Sequence, residues 1–148
     1  MNYCTNCHGM FYACNALQSI DCSNWYTYNV EDMQRMFYVC YALKDIIGLN
    51  NLDVSNVKNM KYMFCGLEQF TDLDISKWNA PKCEDADHMF SSFLKPGDEH
   101  YNGFVRINAP NLFRNGCVKY LRSMFEANHE LKYVNISNWN VSNVTDMS

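Results

Sequence analysis

Residues 4–8 read Cys-Thr-Asn-Cys-His. Two thiols three residues apart with an imidazole directly after them spell the attachment motif for a c-type haem. The same Cys4, Cys7 and His8 could begin a zinc site, where thiolates and an imidazole supply soft ligands in tetrahedral geometry. A haem would need an axial partner and an exposed loop, and a zinc ion would need a second ligand pair at suitable spacing. The chain shows neither. His88, His100 and His129 are dispersed, without a serine or cysteine in phase with them. No glycine-rich loop leads into a helix in the manner of a phosphate site. The expectation is a protein without catalytic residues, metal or cofactor.

The elements that must hold these residues give the motif a plainer parse. Met-Phe recurs at 10–11, 36–37, 63–64, 89–90 and 124–125, in steps of 26, 27, 26 and 35 residues. Apolar residues stand six and three positions before each Met: Cys4 and Cys7, Val30 and Met33, Val57 and Met60, Cys83 and Ala86, Val118 and Leu121. A sixth unit starts at Val144 and Met147. Cys4 and Cys7 are therefore the first unit's copies of Val30 and Met33, and His8 falls between core positions. Ahead of each series stands a bulky anchor, at Trp25, Leu52, Trp78, Phe113 and Trp139, whose spacing tracks Met-Phe. Two columns in one register identify internal repeats.

The interval i, i+3, i+6, i+7 is one face of a short helix. Asn29-Val-Glu-Asp32, Asn56-Val-Lys-Asn59 and Asn143-Val-Thr-Asp146 place a capping residue before it and an acceptor three residues on. Short alternating segments follow at Ile20-Asp-Cys22, Ile47-Gly-Leu49, Leu73-Asp-Ile75, Val105-Arg-Ile107 and Val134-Asn-Ile136, and read as strands. Each repeat is thus expected to be strand, turn, capped helix, turn. Stacking buries the apolar side and pairs the strands in a parallel ladder. The long fourth step holds Leu94-Lys-Pro-Gly-Asp-Glu-His-Tyr-Asn102, a turn-rich stretch expected to project as a loop insertion. About six extra residues are placed there and three more between Ile107 and Phe113.

These residues resemble the BspA-like leucine-rich-repeat surface proteins, in the branch first named from Mycoplasma lipoproteins. Its pattern, L-D-x-S-x-W/F-x-x-S-x-V-x-x-M-x-x-M-F-x-x-C-x-x-L, is similar to LDISKWNAPKCEDADHMF (73–90), VNISNWNVSNVTDMS (134–148) and LDVSNVKNMKYMFCGLEQFTDLDIS (52–76). The likeness spans the chain and weakens at 94–117. It implies an α/β repeat solenoid, leucine-rich-repeat-like, with short parallel strands on one face and short helices on the other. It also implies a cell-surface or secreted location and a role in adhesion and protein binding, with no catalytic residues. On this reading residues 1–148 form a single solenoid domain of about five repeats plus a partial sixth. The partial units at both ends suggest a segment of a longer array.

Charge and composition narrow the partners. A net charge of −4 with no basic run argues against nucleic acid. No apolar stretch approaches the roughly 20 residues that span a bilayer, and the first residues carry no signal-peptide pattern. Of the eight cysteines, Cys4, Cys7, Cys14, Cys22, Cys40 and Cys83 fall on apolar columns as buried thiols, while Cys65 and Cys117 lie outside them. So many thiols suit a reducing setting. Asn135-Ile-Ser, Asn140-Val-Ser and Asn143-Val-Thr match glycosylation sequons, which the repeat generates by itself.

Recognition is then assigned to the outward strand positions and to the loop at 94–102. One outward column should read Asp21, Gly48, Asp74, Arg106, Asn135, and its neighbour Ser19, Ile46, Asp72, Phe104, Tyr133. Asp21, Asp72, Asp74, Phe104, Arg106, Tyr133 and Asn135 are the candidate partner-binding residues, aromatics and Arg being common interface anchors. The function expected is a non-enzymatic module for protein binding or adhesion at a cell surface. The alternative is a structural spacer or assembly element, with end-to-end self-association through the repeat faces.

Overall fold

A computed structural model describes residues 4–93 and 103–148. The expected loop insertion at 94–102 lies outside the described residues. Among the described residues there are five three-residue strands: β1 (Ser19–Asp21), β2 (Asp45–Ile47), β3 (Asp72–Asp74), β4 (Arg106–Asn108) and β5 (Tyr133–Asn135). They form two small parallel sheets, β1-β2 and β3-β4-β5. The expected helices are absent: among the described residues the only helical element is a 3-10 turn, Leu49–Asn51. The α/β solenoid with helices on one face is therefore corrected to short parallel strands joined by stacked turns.

The reason is visible in where the backbone hydrogen bonds go. In the first repeat the N–H groups of Cys7, Gly9, Phe11 and Ala13 donate to the carbonyls of Asp32, Gln34, Met36 and Tyr38 in the second, at 2.8–2.9 Å. Residues 33, 35, 37 and 39 repeat this onto 59, 61, 63 and 65, and the pattern continues through the fourth repeat. The residues between them close three-residue turns, as in Met10 N–H to Cys7 and Tyr12 N–H to Gly9. An α-helix would send every N–H four residues back within its own segment. Here alternate donors leave the segment altogether.

That alternation needs left-handed residues. Gly9, Arg35, Tyr62, His88 and Ser123 all have φ between 47° and 59° and occupy one column, immediately before each Met. Ala13, Val39, Gly66 and Ala127 form a second such column. A left-handed residue inside a helix is excluded, so one or two in each of the five repeats rule one out. Of the residues read as helix caps, Asn56 and Asn143 donate their side-chain amides to the Tyr28 and Gly116 carbonyls of the preceding repeat, and the acceptors three residues on also act differently. Asn6, Asp32, Asn59, Asp85 and Asp146 each accept the backbone N–H two residues on, at 2.7–3.1 Å. These are Asx turns, a local alternative with which such side chains compete against helix. The same five residues, with Tyr120, form a row of parallel bridges linking six successive segments.

The columns of apolar residues converge on one interior. Phe11, Phe37, Phe64, Phe90 and Phe125 stack face to face, with centroids 5.5–6.1 Å apart and planes within 18°. Phe37, Phe64 and Phe90 are fully buried. Each aromatic pair adds about 0.5–1.5 kcal/mol beyond its buried area. Among the anchors, Trp78 and Trp139 donate their indole N–H to the preceding segment, at Leu49 and Ala109. Trp25 stacks on Phe11.

Strand register departs from expectation in two places. β1 pairs Asp21 with Ile47, not Gly48. The second repeat carries one extra residue between strand and anchor, and Gly48, at φ 78°, takes it up. Ile46 consequently points inward and is buried. In β4, Ile107 pairs with Leu73 and Val134, so the long step adds its residues almost wholly before the strand. A Cβ at Gly48 would stand 2.6 Å from the Ser23 Cα and 2.7 Å from its nitrogen. Gly48→Ala should therefore cost about 3 kcal/mol, combining a left-handed alanine with a backbone clash, as read by urea unfolding.

Candidate functional site

The strands bring part of the expected sheet surface together. Asp72, Arg106 and Tyr133 are register partners on β3, β4 and β5, all exposed, with Asp74, Asn108 and Asn135 two residues on. The Arg106 guanidinium carbon lies 4.3 Å from the centre of the Tyr133 ring. Asn135 donates to Asn108 at 2.9 Å, and Asn108 to Asp74 at 3.1 Å. Asp21 is exposed on the other sheet. Phe104 is not on this surface: it is 2% exposed and packs edge-on against Phe70 and Phe90. The shifted β4 register places it in the interior. This face is a set of polar groups already bonded to one another.

The stacked turns make a second surface that strand reasoning missed. Tyr12 and Tyr38 stack at 5.4 Å, Tyr62 and His88 at 4.7 Å, and Tyr38 meets Tyr62 and Phe93 edge-on. Arg35 lies between these two stacked pairs, its guanidinium carbon 5.7 Å from the Tyr38 ring centre and 5.3 Å from that of Tyr62. Such cation–π contacts are worth about 0.5–2 kcal/mol depending on desolvation. The Arg35 Nε is buried with no hydrogen-bond partner, and no carboxylate among the described residues pairs with this side chain. His8, Gly9, Tyr12, Arg35 and Tyr38 line an open groove of about 540 Å³. His8 Nδ1 lies 3.6 Å from Asp32. The signal was available: Gly9, Arg35, Tyr62, His88 and Ser123 are a variable column inside a constant frame.

A charged cluster closes the far side of this face. The Asp87 side chain is fully covered. It accepts the Arg122 backbone N–H and Nε, both at 2.8 Å, and Lys61 Nζ at 3.3 Å. In the other repeats an Asn or Asp two residues earlier accepts this N–H, but here that position is Tyr120. Asp87 substitutes from the neighbouring repeat. Burial pushes its carboxyl up, and the bonds from Arg122 and Lys61 outweigh it, leaving the net shift downward.

The thiols divide by burial. Cys7, Cys22, Cys40, Cys65 and Cys83 are buried, Cys14 is half-buried, Cys4 and Cys117 are exposed, and all eight are free. Cys65 thus belongs to the interior against expectation, within 3.0 Å of Ser91 Oγ. Cys4, expected as a core residue, is at the surface. Burial pushes the Cys22 and Cys65 thiols up to about 12 and Cys40 to about 11. Such thiols are poor nucleophiles and behave as small hydrophobes. The described residues contain no helix long and apolar enough to cross a membrane.

A family model described as Mycoplasma protein of unknown function, DUF285, matches residues 5–113 and 98–148. No curated protein and no solved structure matches the chain.

The Asp87 contacts set a pH dependence. Its carboxyl is held below the ordinary value, so the stability it contributes is present above the unfolded-state pKa, near 3.8, and is lost as pH falls through the lower folded value. Asp87→Asn should remove this acid-limb contribution and cost about 2 kcal/mol at pH 7, because the neutral amide keeps one acceptor oxygen and turns an N–H donor toward either the Arg122 backbone N–H or the Arg122 and Lys61 cations. Denaturant titrations of both chains from pH 7 down to pH 2 check both; an unchanged acid limb would show the carboxylate is not responsible.

Proposed function

The chain belongs to the DUF285 family of Mycoplasma proteins, and we propose that it is a non-enzymatic recognition module that binds a protein partner at the cell surface through its turn face. The observation that carries this reading is Arg35. It is a half-buried cation, set over two tyrosine rings in a left-handed backbone conformation, and its guanidinium is unmatched by any acid of the described residues. Arg and Tyr in a partly desolvated cluster are the residue types that dominate binding energy at protein interfaces. A carboxylate on the partner would pair with the guanidinium through its planar fork. The likeness to BspA-like surface proteins supports the surface location and the adhesive role.

The sheet face has less to offer a partner. Asp74, Asn108 and Asn135 already satisfy one another, and Arg106 is laid on Tyr133. Arg35→Ala and Tyr62→Ala should each weaken binding of the labelled chain to intact cultured cells roughly tenfold or more. Arg106→Ala and Tyr133→Ala should change it less than about twofold. Protease treatment of the cells should abolish binding if the partner is a protein. Loss at Arg106 with no change at Arg35 would assign recognition to the sheet instead.

An assembly role is the second reading, and a separate surface favours it. Met124, Phe125, Ile136, Trp139, Val141 and Met147 line an open apolar groove of about 450 Å³. Beside it Val134 and Ile136 are more than one-third exposed. The bonding that joins each repeat to the next would join this edge to another repeat, on the same chain or on a second copy. Contact between copies predicts a light-scattering mass that rises with concentration and returns to the monomer value in Val141→Asp. A constant monomer mass would remove this reading.

A further inference from the structure

The Cys4–Cys7 pair that opens the sequence is absorbed by neither haem nor zinc chemistry, and the fold brings its sulfurs to 3.8 Å. Their proximity follows from the repeat. Cys4 shares a column with Val30, Val57, Cys83 and Val118, and Cys7 with Met33, Met60, Ala86 and Leu121. Only the first repeat places thiols in both. The two differ in access: Cys4 is exposed, whereas Cys7 is 4% exposed. The Cys7 backbone is fixed by its N–H bond to Asp32 at 2.8 Å, while the Cys4 thiol, besides its contact with Cys7, makes a 3.4 Å contact with the Asn6 carbonyl. One sulfur is held and the other is free to turn toward it.

We infer that Cys4 and Cys7 form a reversible dithiol–disulfide site, opened and closed by exchange with a low-molecular-weight disulfide. Cys4, the accessible thiol, loses its proton to solvent and attacks one sulfur of the oxidant. That bond breaks, one thiolate leaves, and a mixed disulfide remains on Cys4. Cys7 then loses its proton and attacks the Cys4 sulfur, expelling the second thiolate. The protein gives up two electrons and two protons, and the oxidant becomes two thiols. Burial, the hydrogen bond to Cys4 and the nearby Cys4 and Asp32 charges push the Cys7 thiol up to about 12, so Cys7 is the resolving and not the entering sulfur. Among the other buried thiols Cys40 lies near half-buried Cys14, but its sulfur is turned to the Phe11 carbonyl at 2.9 Å.

The position gives the site a consequence. His8 follows Cys7 directly and lines the groove with Arg35 and Tyr38. Closing the bond ties the segment bearing that wall to the core column. The chemistry stands whether or not the groove binds a protein.

The experiment equilibrates the reduced full chain with excess glutathione disulfide, quenches with acid, alkylates with N-ethylmaleimide and maps peptides by mass. The expected result is an internal bond between Cys4 and Cys7, with Cys14, Cys22, Cys40, Cys65 and Cys83 alkylated and exposed Cys117, which has no second thiol to resolve it, carrying glutathione. Its equilibrium constant against glutathione should be at least about tenfold larger in the folded chain than in guanidinium. Cys4→Ser should abolish the bond and Cys117→Ser should leave it intact. Glutathione retained on Cys4 with Cys7 still alkylated, a bond mapped to another pair, or equal constants folded and unfolded would each overturn the inference.

Discussion

The structure depends on backbone donors that no segment can satisfy alone. Every second N–H of each turn arm points to the next repeat, four per interface across most of the chain. A net gain of about 1 kcal/mol per bond makes each ladder worth roughly 4 kcal/mol. The left-handed residues that aim the donors cost about 1–2 kcal/mol each when they are not glycine, and most repeats carry two. The ladder and its backbone strain nearly cancel. What decides the outcome is the interior: stacked phenylalanines and the Met and Val columns beside them, removed from water only when neighbours are present. A single repeat would hold strained backbone, open donors and exposed rings. Stability is therefore a property of adjacent pairs.

This explains which features the sequence disclosed. The Met-Phe and Trp columns follow from side-chain identity, and the interior requires them wherever the backbone runs. Their three-residue spacing does not separate a helix from a chain of tight turns, since both return a side chain to the same face after about three residues. Asn59 or Asp85 ahead of an apolar series is equally suited to capping a helix and to closing an Asx turn. The deciding residues, Arg35, Tyr62 and His88 at positive φ, carry no local signal because glycine is the residue that would announce such a conformation. Register failed for a related reason. The extra residue absorbed at Gly48 and those preceding β4 leave the apolar alternation intact while shifting it, and a shift by one residue exchanges the two faces of a strand. Ile46 moved inside on that account, whereas β4 slipped by two residues, Arg106 pairing with Asp72 and not Asp74, which leaves Phe104 ahead of the strand and packed against Phe70 and Phe90.

The left-handed column also bears on function. Gly9 meets its geometry without strain, so the repeat tolerates glycine there. Arg35, Tyr62, His88 and Ser123 occupy the same position with side chains that the backbone disfavours. Tyr62 and His88 recover some of this by stacking on each other at 4.7 Å. Arg35 recovers cation–π attraction but leaves its Nε buried and unbonded. Strain of this kind is informative when the residue bearing it does little for the fold.

The two faces differ in what a partner would have to displace. On the sheet, an incoming group must compete with the Asn135–Asn108–Asp74 chain and with Tyr133 for Arg106. Any bond it forms replaces one already made, so the exchange returns little. At Arg35 the aromatic surroundings have removed part of the guanidinium's hydration without supplying an acceptor. A carboxylate arriving there meets a cation whose desolvation is partly complete before binding, in surroundings that strengthen the pair. The same lack that makes Arg35 unfavourable in the free chain would make it the position at which an incoming acid gains most.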